Sequence, residues 1–262
     1  MDLGLSGRPC VVTGASRGIG EATARMLAAE GAKVLLVARD AQALEAVAAD
    51  CAGAGGVVET VAIDVTEPGA GARIVTACEE RLGPVEILVS SAGTNWAKPL
   101  EELTTEDFDR HWRLNVIGPF ELLRAAVPKM AERGFGRVVS VASIAGKRPS
   151  LFNLAYAATK AAQLALSRGF ADAYASRGVT INSILPGPVD TTMWARVLEE
   201  TAVVRGAPLA DVVAQIQAGV PRGRFADPSE VAAVVVFLCA GQAANVTGAA
   251  WTVDGGSVQL LF

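Results

Sequence analysis

The chain has 262 residues, 51% hydrophobic and 19% charged, with a mean hydropathy of +0.37, so it can bury a substantial core and is too apolar to be disordered. A net charge of -4 with basic residues scattered along the chain disfavours nucleic acid as the main partner. The longest purely apolar run, 231–240, falls well short of the roughly 18 to 20 residues that cross a bilayer, and the opening MDLGLSGR lacks the pattern of a secretory signal, so no membrane and a cytoplasmic location are expected.

Short β-branched runs alternate with Ala-rich amphipathic stretches from one end to the other, the pattern of a parallel sheet covered by helices. In chain order the reading is strand 10–13, helix 19–30, strand 33–38, helix 41–52, strand 57–63, helix 70–81 and strand 87–89. One long helix over 105–133 follows, then strand 137–142, helix 154–176, strand 179–185, helix 228–239 and strand 249–253. Several strands are continuous apolar runs, as when both faces are buried. The expectation is α/β: a single Rossmann-type domain over 1–262, with a doubly wound parallel seven-stranded sheet and helices on both faces. Residues 188–224 break the alternation, with a helical stretch over 192–204 and then Gly206, Pro208, Gly219 and Pro221. An insertion after a strand's carboxyl end lies over the crevice where such sheets bind ligands. Cys10, Cys51, Cys78 and Cys239 show no metal-ligand spacing, and His111 is the only histidine, so no metal is expected. The cysteines are read as small buried apolar residues, His111 as structural and the run 231–240 as core.

Directly after the first strand stands Thr13-Gly14-Ala15-Ser16-Arg17-Gly18-Ile19-Gly20, opening into a helix. Glycines there let a pyrophosphate approach the backbone, and N–H groups at the helix start favour an anion. Further on, Tyr156 and Lys160 stand four apart, on one helical face. A phenol with a reference pKa of about 10 shuttles protons poorly near neutrality, and a neighbouring cation is expected to lower it. Ser143, just after the fifth strand, can hydrogen-bond a substrate carbonyl while Tyr156 donates a proton. Taken singly, these are also an ordinary strand-to-helix turn, a surface pair and a loop serine; their joint order carries the reading.

That order and the TGxxxGxG spacing resemble the short-chain dehydrogenase/reductase family over nearly the whole chain, from the first strand to VDGG at 253–256. The resemblance implies hydride transfer between a nicotinamide cofactor and a carbonyl or secondary alcohol, with Asn115, Ser143, Tyr156 and Lys160 catalytic. Gly14, Ser16, Arg17, Gly18, Ile19 and Gly20 would hold the pyrophosphate. Ala38 stands where an NAD-selecting acid would be, and Arg39, with Arg17, can meet the 2'-phosphate of NADP(H); Asp40 would partly offset Arg39. Asp64 and Val65 match the adenine contact, and Ser91, Ala92 and Gly93 the ribose side, although Ser90 and Ser91 replace the family's two asparagines. Tyr156 and Lys160 also face the ribose, and Pro186, Gly187, Val189 and Thr191 the nicotinamide.

Among relatives the chain most resembles 3-oxoacyl-thioester reductases of fatty-acid synthesis. Arg177 matches a basic carrier-protein contact and Gly134 falls near another, so the small-molecule substrate would be free, carrier-linked or CoA-linked. Ser143, Trp96, Leu151 and Trp194 are assigned to the substrate, with Phe152, Met193 and Val197 completing an apolar wall that suits an acyl chain. A dehydrogenase of sugars, polyols or steroids, a non-catalytic NADP(H)-binding regulator and an oligomeric scaffold are the alternatives. The resemblance also implies a homotetramer, and the apolar load on the two long helices gives it a physical motive.

Overall fold

The computed structural model describes residues 2–149 and 152–259. Its seven-stranded sheet has the order β3-β2-β1-β4-β5-β6-β7, and all six pairings are parallel. The strands are β1 (Pro9–Thr13), β2 (Lys33–Ala38), β3 (Val57–Ala62), β4 (Ile87–Ser90), β5 (Gly136–Val141), β6 (Val179–Pro186) and β7 (Ala250–Val253). These match the expected strands to within a residue at each end. Parallel neighbours need crossover connections, which here are helices: α1 (Gly18–Ala29), α2 (Ala41–Gly53), α3 (Ala70–Arg81), α4 (Thr105–Trp112), α5 (Gly118–Glu132), α6 (Leu154–Tyr174) and α9 (Pro228–Cys239).

Side chains alternate across each strand, so neighbours feed opposite faces. Cys10, Val12, Val34 and Leu36 pack with Leu27 of α1, Leu44 of α2 and Val231 and Val235 of α9. Val11, Leu35 and Val37 pack on the other face with Ile74 of α3, Leu123 and Met130 of α5 and Ala171 of α6. The apolar run 231–240 is therefore core, and all four cysteines are free and buried.

Strand order reverses beside β1: β2 follows on one side and β4 on the other. The crevice at this switch point is where such a sheet takes its ligand. Onto the same carboxyl edge come the loops after β1, β4, β5 and β6.

Two expected elements are corrected. The single helix over 105–133 is interrupted by a π-helical turn at Arg113–Ile117, where the Gly118 N–H bonds to the Arg113 carbonyl, five residues back. Pro119 has no N–H for the Asn115 carbonyl four residues earlier, so α-helical pairing fails at Asn115. The insertion holds two helices, α7 (Thr192–Arg205) and α8 (Leu209–Ala218). Pro208 and Gly219, read as breakers, are the caps of α8, and Leu209, Val212, Val213 and Ile216 follow helical spacing between them.

Candidate active site

The first loop is shaped by backbone crowding. A Cβ on Gly14 would lie 2.9 Å from the backbone of Ala92, and one on Gly20 only 2.2 Å from the Gly14 carbonyl oxygen. Gly14 and Gly18 also have positive φ, at 69° and 59°. Arg17, the N-cap of α1, contributes no side-chain cap bond. The N–H groups of Gly18, Ile19 and Gly20 thus begin a helix with no side chain across them, a cradle for a phosphate. Ser16 lies beside it, half-buried. Thr191 Cγ2 would be 3.1 Å from a Cβ on Gly18, so the loop after β6 meets the loop after β1.

Thr13 Oγ1 accepts hydrogen bonds from the backbone N–H of Ser91 and of Ala92, each at 3.2 Å. Thr13 thus braces the turn after β4 against the end of β1. Arg39 follows β2 with its side chain 78% exposed, 3.8 Å from an Asp64 oxygen. Its acidic neighbour is thus Asp64 and not Asp40, which instead caps α2 by accepting from the Ala43 N–H at 3.0 Å. The other Asp64 oxygen holds Thr66, while the Val65 carbonyl approaches Gly118, where a Cβ would be at 2.9 Å. Gly187, after Pro186, abuts Asp254 of the VDGG segment, and Val189 pairs with Ala226.

Ser143 and α6 meet at the crevice because Gly146 lets the turn after β5 press on the helix: a Cβ there would be 2.9 Å from the Lys160 backbone. The Ser143 side chain favours the ionised form of the Tyr156 hydroxyl. Burial nevertheless pushes the phenol up to about 12, and it pushes Lys160 down to about 7. The expected lowering of Tyr156 by the cation is not found in this structure. Lys160 Nζ donates instead to the Val141 carbonyl at 3.0 Å and to Gln163 Oε1 at 2.8 Å, and lies 5.4 Å from the Tyr156 ring centre. Asn115 sits in the π turn and donates to Thr159 Oγ1 at 3.0 Å; Thr159 in turn donates to the Tyr156 carbonyl at 2.7 Å. A Cβ on Gly93 would be 3.2 Å from Asn115 Oδ1 and 3.6 Å from Lys160 Nζ, so the loop after β4 closes over both. All four residues expected to be catalytic come together.

The sequence reading missed Gln163 and Thr159. Tyr156, Lys160, Gln163 and Ser167 recur at helical spacing, a buried polar stripe on α6 that the spacing alone shows. It also missed Arg196, whose Nη2 donates to Thr94 Oγ1 and to the Asn95 carbonyl at 3.0 and 2.7 Å, tying α7 to the β4–α4 loop. Glu200 adds a second tie by accepting from the Ala97 N–H at 2.9 Å.

The apolar wall is redistributed. Trp194 meets Phe225 edge-on at 5.9 Å and packs with Leu198 and Val212 inside the insertion. Arg205 lies over Phe152, and Arg110 and Arg196 lie over Trp96. Val197 is buried, Met193 is half-buried, and Leu151 lies outside the described residues.

Burying Lys160 predicts a pH effect on stability. The unfolded chain keeps this proton up to the ordinary lysine value, whereas the folded chain releases it near 7. Between the two the unfolded state binds more protons, so this group's contribution to stability rises with pH. In thermal melts, Lys160→Met is expected to gain on the parent at pH 7 and to lose that advantage towards pH 10. A difference in Tm that does not change with pH would refute the shift.

The family model for short chain dehydrogenases matches residues 9–202. A D-threitol dehydrogenase of Mycolicibacterium smegmatis is 34% identical over 97% of this chain and 94% of its own length. A 3-oxoacyl-[acyl-carrier-protein] reductase of Vibrio cholerae is 35% identical over 97% of this chain and 98% of its own. The solved structure of L-sorbose reductase from Gluconobacter frateurii, complexed with NADPH and L-sorbose, is 34% identical and superposes with a TM-score of 0.92, covering 100% of both chains.

Proposed function

The chain belongs to the short-chain dehydrogenase family, and from that membership we propose that it interconverts a ketone or aldehyde and the corresponding alcohol with NADP(H). The observation that carries the reading is the convergence of Ser143 with Tyr156 and Lys160 of α6, to which Asn115 is tied through Thr159. When bound, the nucleotide supplies a hydride equivalent for the carbonyl carbon. Its phosphates fit the uncapped start of α1 and the glycines around it; Arg17 and Arg39 suit a 2'-phosphate, and Asp64 and Val65 flank the adenine side. Ser91, Ala92 and Gly93, with Tyr156 and Lys160, would hold the ribose, and Pro186, Gly187, Val189 and Thr191 the nicotinamide.

In reduction Ser143 orients the carbonyl oxygen and Tyr156 gives its proton to the developing alkoxide. A phenol held near 12 is fully protonated at neutral pH, the state a donor needs. Lys160, near 7, sits where proton gain and loss are both easy, so with Asn115 it can return a proton to Tyr156. The test is a screen of ketones, sugars, alcohols and 3-oxoacyl thioesters with NADPH or NADP, followed at the nicotinamide absorbance; a lack of turnover across all of them would overturn the reading.

A second reading, reduction of a 3-oxoacyl thioester, is supported by the Vibrio relative. Arg177 and Gly134 flank one spot, since a Cβ on Gly178 would meet the Gly134 carbonyl. That spot is at the amino edge of β5 and β6, the end away from the crevice, so a carrier protein bound there would have to serve a neighbouring subunit.

A homotetramer is part of the proposal. Trp112 and Phe120 are exposed, Phe120 meeting Phe170 edge-on at 6.3 Å, and Trp251 is exposed and stacked on Phe237. These aromatic faces lie on different sides of the sheet, and two self-complementary faces generate a four-subunit assembly. Light scattering is expected to give about four times the 26.9 kDa chain mass; a stable monomer at micromolar concentration would refute it.

A further inference from the structure

Buried polar atoms in native proteins are nearly always paired, so several unpaired ones beside one site point to a ligand. Near the candidate site, Asn95 Oδ1 and His111 Nε2 are buried and have no hydrogen-bond partner among the described residues. Asn95 and His111 are only 4% and 3% exposed. His111 Nδ1 lies 2.8 Å from the Asp107 carbonyl, which can only accept. The ring hydrogen is therefore on Nδ1, and Nε2 presents a bare lone pair. Burial lowers the pKa of this imidazole, which keeps it neutral at pH 7. The ring meets that of Trp96 edge-on at 4.6 Å and that of Tyr156 at 6.4 Å. Asn95 follows Thr94, whose N–H reaches Asn115 Oδ1 at 3.4 Å. His111 thus stands beside the proton donor and against Trp96 of the wall expected to be apolar, and Asn95 precedes Trp96 in the same loop. A hydrocarbon chain has no donor for either, whereas a hydroxyl does.

We propose that His111 and Asn95 determine specificity by accepting hydrogen bonds from substrate hydroxyls next to the reacting carbonyl, so that the substrate is a hydroxylated ketone or polyol and not a bare acyl chain. This deepens the reductase reading above and rests on it.

Because His111 is the only histidine, protein labelled with 15N-histidine gives one pair of ring-nitrogen signals. Adding L-erythrulose to the NADP-loaded protein, where no hydride is available, is expected to move the Nε2 signal towards that of a hydrogen-bonded nitrogen. 2-Butanone at the same concentration should leave it in place. With NADPH, His111→Phe keeps the ring but lowers the kcat/KM ratio for erythrulose over butanone by at least about tenfold, and His111→Gln, which returns an acceptor, recovers part of it. An Nε2 signal that erythrulose does not move, or a ratio that His111→Phe leaves unchanged, overturns the inference even when ketones are turned over. A shifted Nε2 without turnover of any carbonyl upholds the hydroxyl contact at His111 and overturns the reductase reading instead.

Discussion

Tyr156→Phe is expected to lower kcat by about 10²- to 10⁴-fold while leaving NADPH affinity nearly unchanged. The substitution deletes one oxygen. The ring can keep its place against His111, and the glycine turn around Gly14 and Gly20 is untouched. What is lost is the only phenol at the site, since Tyr174 ends α6 a long way along the helix. Stopped-flow oxidation of NADPH against a carbonyl accepted by the parent separates the steps: binding should persist and the chemical step should collapse. A variant that kept most of its kcat would show that another group gives the proton. Lys160→Ala, by contrast, is expected to weaken both nucleotide binding and turnover, because in the proposed function Lys160 would serve the ribose as well as the proton path.

The second large effect concerns cofactor choice. The Arg39 guanidinium is mostly in solvent, and its Asp64 neighbour at 3.8 Å is beyond hydrogen-bond distance, so little holds it back from a 2'-phosphate. A charge-assisted hydrogen bond nets roughly 1.5 to 3 kcal/mol, so one arginine corresponds to about a ten- to hundredfold preference for NADPH over NADH. Replacing Ala38 by Asp and Arg39 by Leu is expected to reverse that preference. The new carboxylate at the end of β2 would accept from the ribose hydroxyls and repel a phosphate. Comparing kcat/KM with the two nucleotides in both proteins decides the matter; equal use of NADPH and NADH by the parent would refute it.

What was legible in the sequence was whatever depends on neighbours along the chain. Alternating β-branched and Ala-rich segments specify a parallel sheet wrapped by helices. The glycine spacing after Thr13 announces a phosphate turn, because two of those glycines take a backbone conformation that side chains disfavour. The order of Asn115, Ser143, Tyr156 and Lys160 named the candidate site, and the fold brings these residues together. What only the tertiary structure decided depends on contacts between distant segments. Burial moved Tyr156 up and Lys160 down, a reversal of the phenol's expected shift, because water is excluded by side chains from other elements. The break at Asn115 follows from Pro119 and a π turn, which a search for helical periodicity passes over. Trp96 and Trp194 read as an apolar lining because residue type is visible in a sequence while the partner of each ring is not. Three-dimensional packing turned Trp194 into the insertion's own core, put arginines over Trp96, and left Asn95 and His111 with unpaired acceptors, that of His111 on a ring beside Tyr156. Local propensity and spacing are properties of the chain; charge state, hydrogen-bond satisfaction and the character of a wall belong to the packed whole.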